Sequence, residues 1–202
     1  MPESGYRKTI ENYIRQNARP PDKFSHQPRL YGLAKKLAEA KQFDDDVLFA
    51  AAWMHDLGVF IGHRPEEPTA LAGWDNVAYA VKKSPELLQE FGFPAEKIPR
   101  VIEVISTHLP SAKPSTMEGI MLRDADILEQ LGAIGILRTV GKIGRDTRFV
   151  RFEDALRVLR GNLEKLPTQL NLDSARRLAE ARIQILREFL WAAELEADGN
   201  GL

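Results

Sequence analysis

The chain has 202 residues, 28 basic against 29 acidic, for a net charge of -1, and no cysteine. That balance argues against a protein built to coat nucleic acid or an anionic membrane. The missing cysteines exclude a disulfide framework, a thiolate zinc site and a cysteine nucleophile, so any metal site must use His, Asp and Glu. The longest apolar run, Val47 to Met54, is too short to span a bilayer. The start, Met1-Pro2-Glu3-Ser4, lacks the basic and apolar regions of a signal peptide. A soluble cytoplasmic protein is expected.

Helical periodicity dominates the pattern. Leu30, Leu33, Ala34, Leu37 and Ala38 recur at 3–4 spacing behind Ser25 and His26, which predicts a helix start. Asp44, Asp45 and Asp46 crowd the start of the next helix, where carboxylates suit the dipole. Its body, Val47 to Met54, is apolar on nearly every face and predicts a central helix, with Gly58 as the stop. His63 to Pro68 reads as a loop. Val101, Ile102, Val104 and Ile105 lie on a further helix, entered after Pro94 or Pro99 and left before the loop Pro110 to Ser115. Ser115 with Glu118 predicts a capping box opening a helix through Ile120, Leu128 and Leu131, broken near Gly132. Helices over Glu153 to Leu166 and Ser174 to about Leu195 follow, and the tail from Asp198 should fray. No alternating strand series and no repeat interrupts this. The fold class expected is an all-α helical bundle over 1–202, with a core of about 20–165 and a C-terminal helical extension of about 166–197.

Four histidines, His26, His55, His63 and His108, are the candidates for chemistry. The pair His55-Asp56 is weak evidence as a dipeptide, but it closes a very apolar helix. A carboxylate buried there needs a cation or strong hydrogen bonds. Asp126 repeats the situation on another helix, within Met121-Leu-Arg-Asp-Ala-Asp-Ile-Leu128. Two apolar helices that each carry an acid, with imidazoles nearby, suggest a metal held between helices. Structural salt bridges with Arg123 or Arg29 are the other reading.

These residues together resemble the HD-domain metal-dependent phosphohydrolases. That family places one His on an early helix, an adjacent His-Asp pair on the next and an Asp on a later one. Here the pattern reads His26, His55-Asp56 and Asp126. The stretch His26-Gln-Pro-Arg-Leu-Tyr-Gly-Leu-Ala34 resembles the family's first-ligand helix. Leu122-Arg-Asp-Ala-Asp-Ile-Leu-Glu-Gln-Leu-Gly-Ala-Ile-Gly-Ile-Leu-Arg138 resembles the signature of a bacterial subgroup of predicted hydrolases. The resemblance covers roughly residues 20 to 165 and implies an HD-domain helical bundle with a metal site between core helices. Two features depart from the subgroup. Asp22 and Lys23 stand where relatives often carry a further His and Asp, and Ile127 replaces an Arg.

The resemblance implies His26, His55, Asp56 and Asp126 as ligands. Asp126 is preferred to Asp124 because it directly precedes the apolar pair Ile127-Leu128. Asp124 points about 200° away round the helix, toward an outer partner or a subunit interface. Two His and two Asp suit one Mn, Fe, Ni, Co or Zn ion per chain. Such an ion polarises a phosphoryl oxygen and activates water for attack on phosphorus. Asp56 and His108 are the candidate catalytic residues. His108 is read as a general acid, a leaving-group contact or a second-metal ligand, against a histidine that merely binds a carbonyl. Arg29, Lys142 and Arg145 are candidate phosphate contacts, although the loop Gly141 to Arg148 lacks P-loop spacing and also reads as a solvated basic loop. His63 reads as a solvated loop histidine. Trp53, Trp74 and Trp191 read as core or interface residues. The expected function is hydrolysis of a small phosphate ester or anhydride, a nucleotide first. No nucleic-acid or membrane partner is expected, and a homodimer is possible through Gly132 to Leu137. The alternatives are a non-catalytic, metal-stabilised interaction module and a di-iron oxygenase of the same fold.

Overall fold

The computed structural model describes residues 5–201; the stretch Met1 to Ser4, Leu202 and the side chain of Asp22 lie outside that description. Among the described residues there are ten α-helices and no strand, only an isolated bridge between Ile61 and Arg64. The fold class is all-α, as expected. The chain divides into two compact units, Met1–Arg123 and Asp124–Leu202.

The first unit holds α1 (Gly5–Asn17), α2 (His26–Ala38), α3 (Asp45–Met54), the short α4 (Pro68–Ala72), α5 (Asn76–Glu90), α6 (Ile98–Ser106) and the start of α7 (Met117–Glu129). The helix α3 packs against α1, α2 and α6. Every residue from Val47 to Met54 is buried, the outcome a helix apolar on all faces requires. The Asp44 carboxylate caps α3 by accepting from the backbone N–H of Asp46 and Val47. Arg7 on α1 donates to Asp45 and Asp46 at 3.0 and 2.6 Å, and Lys97 donates to Asp44 and Asp46 at 3.0 and 2.8 Å. Burial raises the Asp46 pKa, but the hydrogen bonds from Arg7 and Lys97 outweigh it and hold the group well below the usual carboxylate range. The acidic triplet thus caps and pins the central helix.

Several boundaries differ from the sequence reading. The helix α3 stops at Met54, before Gly58, and the chain passes through a 3-10 turn at Leu57–Val59. Gly58 is needed for space rather than as a stop: a Cβ there would lie 2.6 Å from the Asn76 Cα. The predicted capping box at α7 does not form. Thr116 caps instead, accepting from Gly119 N–H at 3.2 Å, while Ser115 donates to Glu103 and Glu118 accepts from Arg100 and the Asp44 N–H. Burial decided this, since Glu118 is only 2% exposed and takes tertiary partners in preference to its own helix end. The helices α1, α4 and α5 are not predicted by the pattern. On α1 only Ile10 and Ile14 are buried, and α5 carries an internal proline, Pro85.

The second unit holds the end of α7, α8 (Gly132–Val140), α9 (Phe152–Lys165) and α10 (Asp173–Ala197), with α10 packed against α8 and α9. The break near Gly132 is a change of direction, not a helix end followed by loop. Gly132 sits at φ +69°, and α8 starts at once. Beyond α10, Asn200 N–H donates to the Ala197 carbonyl at 2.8 Å, so the described part of the tail is hydrogen-bonded to the helix end.

Candidate metal centre

Three of the predicted ligands come together within the first unit. His26 is the first residue of α2 and His55 directly follows α3. Asp56 starts the 3-10 turn at φ -95°, ψ 11°, the sparsely populated bridge region where active-site residues recur. His26 and His55 are 4% and 1% exposed. One ligand atom from each of the three residues lies within 4.8 Å of the other two. Asp56 Oδ2 stands 3.7 Å from His26 Nε2 and 3.5 Å from His55 Nε2.

The tautomer of His55 follows from its neighbour. Its Nδ1 lies 3.0 Å from the Ala52 carbonyl, which can only accept. In the neutral ring the hydrogen is therefore on Nδ1, and Nε2 presents a lone pair toward Asp56. A lone pair and a carboxylate oxygen at 3.5 Å repel each other unless a positive charge lies between them. Ligand bonds of about 2.0–2.2 Å place neighbouring donors about 3.0–3.5 Å apart, close to the spacings here. A backbone acceptor behind the ring is also the usual device that orients a metal-binding histidine. The donor set, two imidazoles and a carboxylate, thus fits a divalent ion of the borderline class.

His108, just beyond α6, is built the same way. It is 2% exposed, its Nδ1 donates to the Ile105 carbonyl at 2.6 Å, and its ring lies edge-on to that of His55 at 5.0 Å. The expected candidate His108 therefore sits beside the His26–His55–Asp56 group with Nε2 as its remaining donor. Arg29, one turn after His26 on α2, donates to Ser25 Oγ at 3.0 Å.

The second unit carries the remaining candidates. Both Asp124 oxygens accept hydrogen bonds ahead of α10: from Leu172 N–H at 2.7 Å, from Asn171 N–H at 2.9 Å and from the Asn171 side chain at 3.2 Å. Asp124 is fully buried, so it is a structural anchor. Asp126, 9% exposed on α7, has one oxygen 3.1 Å from the Gln130 side-chain nitrogen. In the loop after α8, the Lys142 ammonium lies 5.1 Å from the Phe149 ring centre, and Arg145 is exposed.

His63 departs from expectation. It is half-buried in an aromatic cluster, with Nδ1 3.0 Å from Tyr79 Oη and its ring against Tyr13, Phe60 and Tyr79. Burial first and Lys83 second push its pKa down. The signal was the density of aromatic residues along the chain around it, which gains meaning only when α5 folds back. Trp53 is core at 3% exposed, whereas Trp191 is 64% exposed and is not a core residue. Trp74 is half-buried and donates to the Gly58 carbonyl at 2.8 Å.

The described helices include none long and apolar enough to cross a membrane. The HD domain family matches residues 24–131, more than half of the chain, a span that includes every metal-ligand candidate. The uncharacterized protein YpgQ of Bacillus subtilis is 28% identical over 186 residues, covering 88% of this chain and 84% of that one. The crystal structure of B. subtilis YpgQ in complex with ADP aligns at TM-score 0.68 and 25% identity, covering 96% of this chain and 98% of that chain. An HD-superfamily hydrolase from Bacillus thuringiensis aligns at TM-score 0.67 and 25% identity, with 96% and 97% coverage. The His and Asp spacing, the helical fold and the His26–His55–Asp56 group agree with these matches, and the chain belongs to the HD domain family.

Proposed function

We propose that this protein is a divalent-metal-dependent phosphohydrolase acting on a small phosphate ester or anhydride, with a nucleotide as the substrate class. The observation that carries the reading is the His26–His55–Asp56 group, its two imidazoles buried and His55 Nδ1 held by the Ala52 carbonyl. The ADP bound in the YpgQ crystal structure supports the nucleotide class. His26, His55 and Asp56 would hold one ion, and Asp126 is assigned as the fourth ligand on the motif. Mn, Fe, Ni, Co and Zn all suit this set. The ion supplies Lewis acidity toward a phosphoryl oxygen and toward water.

The chain's own residues do the rest. The Ala52 carbonyl fixes the ring of His55. His108, oriented by the Ile105 carbonyl, handles a proton at Nε2. Asp56 is both ligand and catalytic carboxylate. Arg29 turns from Ser25 to a phosphate oxygen, a contact suited to the planar guanidinium. Lys142 and Arg145 are further anion contacts in the second unit.

The test is elemental analysis after Mn²⁺ loading and desalting, with phosphate release from nucleotides measured on the same samples. About one ion per wild-type chain, lost in His55→Ala and Asp56→Ala together with hydrolysis, is the expected result. A folded wild type that takes up no metal refutes the reading. So does an Asp56→Ala protein that keeps both its metal and its activity.

A further inference from the structure

The 3-10 turn that carries Asp56 is held by contacts from residues well beyond the ligand motif. Asp56 itself closes the turn, its carbonyl accepting from Val59 N–H at 2.9 Å. The Gly58 carbonyl accepts from the indole Nε1–H of Trp74 at 2.8 Å. The Gly58 Cα rests against the backbone of Asn76, so closely that no side chain fits between them. Asn76 is the first residue of α5, and the Asp75 carboxylate fixes that helix start by accepting from Val77 and Ala78 N–H at 3.0 and 2.9 Å. Trp74 is braced in turn: its ring lies 5.2 Å from that of Tyr79, whose hydroxyl meets His63. The elements α5 and the 57–59 turn are in contact along this edge.

We infer that Trp74 is a positioning residue for the metal centre: its indole N–H, acting through the Gly58 carbonyl, holds Asp56 in the backbone conformation that faces its carboxylate to His26 and His55. The physical argument is that Asp56 sits in the bridge region and its turn has only three residues. A 3-10 turn of this length has few hydrogen bonds of its own. Two supports on one residue, a donor on the Gly58 carbonyl and a backbone against its Cα, remove the freedom the turn would otherwise have. Outer partners that orient a ligand in this way commonly change metal affinity 10- to 100-fold when removed.

The inference rests on the metal reading above, and its test separates the two. Trp74→Phe keeps an aromatic ring and deletes the N–H. The measurements are Mn²⁺ affinity by calorimetric titration, the visible spectrum of the Co²⁺-loaded protein, and the melting temperature of the metal-free protein. The expected result is a dissociation constant for Mn²⁺ raised roughly 10- to 100-fold and an altered Co²⁺ spectrum, with Gly58→Ala moving both the same way. Wild-type affinity and spectrum in Trp74→Phe, whatever its melting temperature, overturn the inference while leaving the metal site standing. A wild type that binds neither Mn²⁺ nor Co²⁺ overturns the metal reading itself and the inference with it. If Trp74→Phe does not fold, the indole N–H of the wild type decides. The chain has three tryptophans, so ¹⁵N-labelled indole signals can be assigned from Trp53→Phe and Trp191→Phe. Zn²⁺ should slow hydrogen exchange at Trp74; an unchanged rate overturns the inference.

Discussion

The two acids of the Asp124-Ala-Asp126 motif make a sharp test, because the structure makes Asp124 an anchor while the motif assigns Asp126 to the metal. Asp124 is fully buried and takes two main-chain N–H groups, those of Asn171 and Leu172, at the entry to α10. Replacing it by Ala leaves both donors pointing at the space the carboxylate filled. Each hydrogen bond to a charged group is worth about 1.5–3 kcal/mol, so the pair amounts to roughly 3–6 kcal/mol. For a chain of this size each kcal/mol moves the melting temperature about 2–4 °C, so Asp124→Ala should melt roughly 6–24 °C below wild type. The Asp126 carboxylate accepts from the Gln130 side chain at 3.1 Å. The two acids differ at the metal. Asp126→Ala should weaken Mn²⁺ binding beyond the roughly 100-fold that outer-shell changes cause, while Asp124→Ala, below its melting temperature, keeps wild-type affinity. Circular-dichroism melts of the metal-free proteins and calorimetric Mn²⁺ titration read both quantities. An Asp124→Ala protein that keeps its melting temperature and loses Mn²⁺ refutes the assignment.

Two further outcomes test the frame around the site. Thr116→Ala should lower stability by about 1 kcal/mol, the usual value of a lost N-cap, while Ser115→Ala changes it little; the opposite ranking in urea denaturation would restore the capping box the sequence predicted. Asp146 has its pKa held at about 2, against 3.8 for a free Asp, chiefly by the Arg148 side chain at 2.7–2.9 Å. A carboxylate depressed in the folded state contributes stability above its unfolded pKa and loses it as pH falls through the folded value. Arg148→Ala should therefore unfold at lower urea than wild type near pH 6, with the gap closing between about pH 4 and pH 2; a gap that persists at pH 2 rules out the pair as its origin.

The sequence by itself determined the fold class and the burial of the site. Val47 to Met54 has no polar face, so it could only be a central helix, and a His-Asp pair at its end could only be buried or nearly so. The 3–4 spacing from Leu30 placed His26 at a helix start, and the resemblance of the surrounding residues supplied the ligand set. Tertiary structure decided what periodicity cannot encode. The chain passes so close to Asn76 after α3 that only glycine fits at position 58. Glu118 reads as a local cap and Asp124 only as facing an outer partner or a subunit interface, but each is consumed by a partner far along the chain, at Asp44 and at Asn171. His63 reads as a loop histidine until α5 folds Tyr79 against it. The physical reason is common to these cases. Local pattern reports which face is buried, whereas a buried polar group goes to whatever donor or acceptor the packing brings near, since leaving it unpaired costs more than a local cap supplies.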